Sequence, residues 1–143
     1  EHGLNLTTVE YELGILKILS VGWGISFYMP ASDKHKATVS RGFWETIREI
    51  SQNISTLTET ATGKQIDYFA ILKERLDLYL DQMQSAPEST TDPTAVIGPM
   101  FAGSCKAPDN AAAILTGTKM FALTLGSVRE YLNSVNIQDV KLN

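Results

Sequence analysis

The sequence predicts an all-α fold, more specifically a four-helix bundle with mostly antiparallel helices. Two observations point to it. Apolar residues recur every three or four positions over several long segments, which is the period of an α-helix with one buried face. Prolines stand between these segments, where helices would end. The 4-3 spacing favours shallow helix crossings, and 143 residues fit a single domain, residues 1–143.

The first helix is expected from Thr7 to about Tyr28. Thr7 and Glu10 have the spacing of a capping box, and Pro30 prevents continuation. Beyond its first two turns, Lys17 is the only charged residue. Serines and glycines dilute the apolar run, so the sequence predicts a central buried helix and no membrane span.

The second helix is expected from Ser32 or Asp33 to about Glu59, and the third from Thr62 to about Met83. Thr62 and Gln65 again have capping-box spacing. The short link between the two helices predicts that they are antiparallel neighbours. The apolar stripe of the second helix comprises Phe43, Ile47, Ile50, Ile54, Leu57 and Ala61.

A long loop, with at most a short helix from Asp92 to Ile97, is expected between Ser85 and Asp109. Four prolines and two glycines interrupt the pattern there, and Gly98 is expected to end the short helix. An apolar island inside the loop either covers the bundle as a lid or binds a partner, because such a patch is unusual in water. The candidate partner-binding residues are Val96, Ile97, Met100 and Phe101.

The fourth helix is expected from about Asp109 to Val135, with the most regular apolar stripe in the chain. Small residues four positions apart occur in this helix and in the first. Such pairs allow two helix backbones to approach closely, so the sequence predicts tight packing of the first helix on the fourth. The pairs are Ser20 with Gly24, Ala113 with Gly117, and Ala122 with Gly126.

The composition bears on partners and chemistry. The net charge of -4 argues against nucleic acid as a partner. Two histidines and one cysteine are too few for a zinc site, and no motif indicates a cofactor, so neither a metal nor a cofactor is expected. Abundant serine and threonine with few lysines favour an exported or periplasmic location over a cytoplasmic one. The composition leaves the oligomeric state open.

The start of the second helix is unusually basic, with Lys34, His35 and Lys36 in the first turn and Arg41 further on. Cations are unfavourable beside the positive end of a helix dipole. A bound anion or acidic partner would offset that cost. The other interpretation is a solvated charge run with Asp33 as the cap.

Aromatic residues gather near the link between the first two helices. Trp23, Phe27, Phe43 and Trp44 are candidates to line a pocket for an apolar ligand. The alternative is that they belong to the core, as aromatics at helical spacing usually do.

Cys105 precedes Lys106 and the start of the fourth helix, which would lower its pKa, and His35 is the only available base. A nucleophilic Cys–His pair is therefore one hypothesis, and an inert cysteine is the other. No third group completes a catalytic set. The sequence favours a non-enzymatic protein-interaction module, such as an adaptor, inhibitor or immunity-type bundle, whose partner is another protein. The alternatives are a small apolar or anionic ligand-binding bundle and a Cys-dependent enzyme.

Overall fold

A computed structural model describes residues 3–85 and 94–142, with Thr94 and residues 136–142 described by their backbone alone. Helices account for 83% of the described residues, and these contain no strand, which confirms the all-α prediction. There are five helices in the described ranges, so the predicted four-helix bundle is not confirmed. They are α1 (Leu6–Tyr28), α2 (Lys36–Thr62), α3 (Tyr68–Ser85), α4 (Thr94–Ser104) and α5 (Ala111–Leu142).

Helix α1 is central, because it contacts each of the other four helices. It runs antiparallel to α2, since the ammonium of Lys36, at the start of α2, donates to the carbonyl of Ser26, and Trp44, further into α2, lies against Gly22, earlier in α1. It runs parallel to α5. Gly24 lies against Val128, and one turn further along both helices Tyr28 and Leu132 line one cavity.

The remaining helices continue this alternation of direction. Helix α3 runs parallel to α1, because Tyr68 at its start packs on Tyr11 and Tyr79 near its end packs on Trp23. Helix α4 returns in the opposite direction and packs on α5, with which it is joined by a short link. One cluster of buried side chains contains residues from all five helices. Its most deeply buried members are Ile15, Leu16, Leu19, Leu72, Tyr79, Ile97, Phe101 and Phe121.

The helix ends differ from the predicted capping boxes. The side chain of Asn5 accepts hydrogen bonds from the amides of Thr7 and Thr8, so Asn5 caps α1. Thr62 is the last residue of α2 rather than the start of α3. Asp67 caps α3 by accepting from the amide of Ala70. Both predicted boxes at Thr7 and Thr62 were wrong because another polar side chain stands closer to the first free amides.

The predicted loop from Ser85 to Asp109 contains the eleven-residue helix α4. Asp92 and Pro93, the first residues of the predicted turn, lie outside the described residues. Gly98 is inside α4 rather than at its end. Its lack of a side chain lets α4 approach α5 closely, because a Cβ there would stand 2.7 Å from the carbonyl oxygen of Ile114 on α5. Pro99 also lies within the helix, at the loss of one backbone hydrogen bond. Burial of neighbouring apolar side chains offsets that loss.

The predicted close packing of small residues is confirmed at one pair only. A Cβ on Gly24 would lie 2.8 Å from Cγ1 of Val128, so α1 and α5 do approach closely there. Gly117 instead faces α4, where a Cβ would lie 2.6 Å from Cβ of Phe101. At Gly126 no atom of another described helix lies within 4 Å of that position, so the expectation was wrong for this glycine.

Candidate functional site

An apolar groove of about 590 Å³ lies where α1, α2 and α5 meet. Among the described residues that line it, Lys17 is the only charged one. Helix α5 supplies most of the lining, α1 supplies one side, and α2 supplies two apolar side chains. The lining residues are Lys17, Val21, Ile25, Val39, Phe43, Met120, Leu123, Thr124, Ser127, Val128, Tyr131 and Leu132.

The spacing of the lining residues explains why the groove forms. Lys17, Val21 and Ile25 are four apart on α1 and share one face, while Trp23 points to the core. Helix α5 carries a second set of apolar residues beside the stripe that packs in the core. This second set finds no complementary helix face. It was visible in the sequence as apolar residues lying outside the regular stripe, notably Met120, Leu123 and Tyr131.

The edge of the groove is open. Leu123 is 71% exposed and Tyr131 is 65% exposed, which is unusual for large side chains that adjoin an apolar surface. The residues from Met120 to Leu132 span about 18 Å at 1.5 Å per residue. The groove is therefore a long apolar strip rather than a closed cavity.

A smaller cavity of about 290 Å³ continues the groove, because Val39 and Leu132 line both. His35 and Asp33 are among its other lining residues, beside Tyr28. The Asp33 carboxylate accepts a hydrogen bond of 2.8 Å from the amide of His35. His35 is itself the N-cap residue of α2, so Asp33 lies before the helix and the expectation that it serves as the cap was wrong.

The four predicted anion-binding residues do not converge on one point. The Lys36 ammonium lies 3.1 Å from the carbonyl oxygen of Ser26, where it faces the negative end of α1. His35 faces the smaller cavity, whereas Lys34 and Arg41 are exposed. Arg41 follows Lys36 by five positions and so projects from a different face of α2. The basic start of α2 therefore serves in part as a contact with the preceding helix.

The four predicted pocket aromatics also separate. Trp23 lies in the core, with ring centroids 5.7 Å from those of Tyr79 and Phe121. Phe27 is 51% exposed near the end of α1. Phe43 and Trp44 pack edge to face at 4.9 Å, and of the four predicted residues only Phe43 lines the groove.

The predicted partner-binding island is mostly interior. Ile97 and Phe101 are fully buried and Met100 is nearly so, which places them in the core between α4 and its neighbours. Val96 is half-buried. Together with Met100 it borders a cleft of about 820 Å³ between α3 and α4. Most of the island therefore belongs to the core.

Cys105 is buried, and the prediction of a lowered pKa was wrong. Burial, and secondarily the charge of Glu12, raises the pKa of the Cys105 thiol to about 11. Cys105 lies near Glu12, towards the start of α1, and His35 lies near Tyr28, at its end. About 24 Å of helix separates Glu12 from Tyr28, so His35 is far from Cys105. Within residues 3–85 and 95–135, no three His, Cys, Asp or Glu side chains are placed to hold a metal ion.

Among the described helices, α5 rather than α1 contains a segment that is long and apolar enough to cross a membrane. The segment Ala111–Val135 has a mean hydropathy of 1.4 in its most apolar window, and 22% of that window is buried. The prediction of no span is therefore not confirmed. One such helix is weak support for a span, and its inner face, with Phe121 fully buried, packs against α1 and α4.

Comparison with known proteins gives no assignment: no protein-family model matches the chain, and neither a curated protein nor a solved structure shows significant similarity to it.

Proposed function

We propose that the protein is a non-enzymatic interaction module, a helical bundle that binds another protein through the groove between α1, α2 and α5. The observation that carries the proposal is the exposed apolar edge of this groove at Leu123 and Tyr131. Continuous apolar surface of this kind typically marks an interaction site. Adaptor, inhibitor and immunity-type proteins all act by such binding.

The chemistry of the interior also supports a binding role over a catalytic one. The only cysteine has a raised pKa, so the reactive thiolate is scarce at neutral pH. The groove itself is lined by apolar side chains, three hydroxyl-bearing side chains and Lys17. Neither a paired acid and base nor a nucleophile with its base lines it.

A small apolar ligand is the second candidate, because the groove volume falls within the range of roughly 300 to 1,000 Å³ typical of ligand sites. Such sites usually enclose most of the ligand. Here a small molecule on the groove floor would leave the outer parts of Leu123 and Tyr131 in water. A protein surface would cover them, so we favour a protein partner.

The test compares two exposed leucines. Leu123 lies on the groove edge, and Leu57, 66% exposed on α2, lies outside the groove. A photoreactive amino acid is placed at one position or the other, and the protein is irradiated in its native source. We expect a protein adduct from position 123 and none from 57. Equal adducts at both positions, or none at 123, would contradict the proposal.

A second measurement separates the two candidates. Native mass spectrometry of the protein purified from its source would show an added mass of a few hundred daltons if a small ligand occupied the groove. We expect the mass of the chain alone in that preparation, and a protein-sized adduct after irradiation. With the photoreactive amino acid moved to position 131, on the same groove edge, Leu123→Glu should remove this adduct, whereas the matched variant Leu57→Glu should retain it.

A further inference from the structure

We infer that the element occupying the groove is an amphipathic helix of the partner that presents a carboxylate to Lys17. The inference rests on the proposed function and specifies the chemistry of the partner. Its basis is the shape of the groove, the nature of its walls and the single charge within it.

The shape of the groove fits a helix. Leu123 and Tyr131 stand eight positions apart on α5, which is about 12 Å along the axis, and the full strip is about 18 Å long. One straight element of about twelve helical residues covers that length. A helix lying in the groove would place apolar residues at i, i+4, i+7 and i+11 against the lining.

The walls of the groove exclude pairing with an extended strand. All three walls are α-helices, whose backbone amides and carbonyls bond within their own helix. Strand addition needs a free sheet edge. Recognition in this groove must therefore come from side-chain packing, which is how a helix binds in a groove.

The single charge in the groove indicates which charged group the partner helix must carry. Lys17 lies on the α1 wall with its ammonium exposed, and among the described residues it makes no ion pair. A partner that covers the apolar lining also removes water from around this ammonium. An unpaired charge at a covered apolar surface is costly, and a carboxylate from the partner offsets that cost. Partners with Lys or Arg at this point are disfavoured for the same reason.

The experiment uses the full chain and a displayed library of sixteen-residue helical peptides. An apolar stripe is fixed in the peptides, and the positions beside the stripe are varied among Glu, Gln and Lys. We expect the selected peptides to carry Glu at one consistent position. Their dissociation constants should rise about tenfold with Lys17→Gln. They should change little with the control Lys119→Gln, which removes an exposed lysine of α5 outside the groove lining.

A charge exchange gives the sharpest result. Binding by Lys17→Glu should be restored when the selected Glu of the peptide becomes Lys. Binders without a preference for Glu, or an unchanged dissociation constant in Lys17→Gln, would overturn the role of Lys17. The library could also yield no binding peptide while position 123 still forms an adduct with a protein in the native source. That result would overturn the inference that the occupant is a helix and would leave the proposed function standing.

Other occupants give distinct outcomes that also overturn the inference. A concentration-dependent dimer that dissociates in Leu123→Glu would identify a second copy of this chain. Binding to phosphatidylcholine–phosphatidylglycerol vesicles that is lost in Leu123→Glu would identify a lipid surface. If position 123 forms no protein adduct in the native source, the proposed function fails together with the inference.

Discussion

The guanidinium of Arg75 holds the carboxylate of Glu12 with two hydrogen bonds, from Nε to Oε1 at 3.1 Å and from Nη2 to Oε2 at 2.7 Å. This pair joins α3 to the first half of α1. Glu12 is only 3% exposed, so its charge depends on this partner. The hydrogen bond to Glu12 is also the main reason why the pKa of Arg75 is raised.

Removal of the guanidinium should strongly destabilise the fold. In Arg75→Met the Glu12 carboxylate remains buried without its cation, and we expect the free energy of unfolding to fall by about 3 kcal/mol at pH 7.5. Urea denaturation of the variant and the wild type at this pH measures the difference. Glu74→Gln, which removes a 76% exposed partner of Arg75, should cost less than about 1 kcal/mol.

A methyl group at Gly24 should weaken the contact between α1 and α5. The new Cβ would meet Cγ1 and Cβ of Val128 at 2.8 and 2.9 Å, so Gly24→Ala should lower the free energy of unfolding by about 1–3 kcal/mol. Gly126→Ala is the matched control on an open stretch of α5. It should stabilise the protein by up to about 1 kcal/mol through helix propensity. Thermal unfolding compares the two, and equal effects would contradict the close approach.

Cys105 should be poorly reactive in the folded protein. Because burial raises its pKa to about 11, alkylation by iodoacetamide at pH 8 should be about tenfold or more slower than in 6 M urea. The pH profile of the folded protein should still be rising at pH 10. An inflection below pH 9 would mean that the thiolate is stabilised, and the nucleophile hypothesis would then regain support.

Tyr79 should make the fold sensitive to alkali. Burial raises the pKa of Tyr79 from its ordinary value of 10.0 to about 12. Above pH 10 the unfolded chain loses this proton before the folded chain does, so stability is lost as pH rises from 10 towards 12, by about 2 kcal/mol. Tyr79→Phe should remove this part of the pH dependence. An identical slope in the wild type and the variant, measured by denaturation from pH 9 to 11.5, would contradict the assignment.

Sequence periodicity predicted the long helices well. The first helix was expected from Thr7 to about Tyr28 and runs from Leu6 to Tyr28, because its apolar run and the stop at Pro30 are local signals. Helix α4 was underestimated, since Gly98 and Pro99 usually interrupt helices. There the contact of Gly98 with α5 and the burial of Phe101 outweigh local preference. Tertiary packing of this kind leaves no periodic signature in eleven residues.

The groove depends on how helices are placed, which sequence spacing does not specify. Of the four aromatics predicted to line a pocket, Phe43 lines the groove, but Trp23 turns to the opposite side of α1. Leu123 and Tyr131 were missed because they lie beside the regular stripe of α5. Such residues acquire a role only when the neighbouring helices leave them uncovered.

The parallel pairing of α1 and α5 has a consequence during synthesis. Between the end of α1 at Tyr28 and the addition of Val128 in α5 the ribosome must add 100 residues, which takes roughly 5–20 s at 5–20 residues per second. Until then the wall of α1 that receives Val128 has no cover. The nascent chain therefore presents an apolar helix face to the cytosol or a chaperone before its final partner exists.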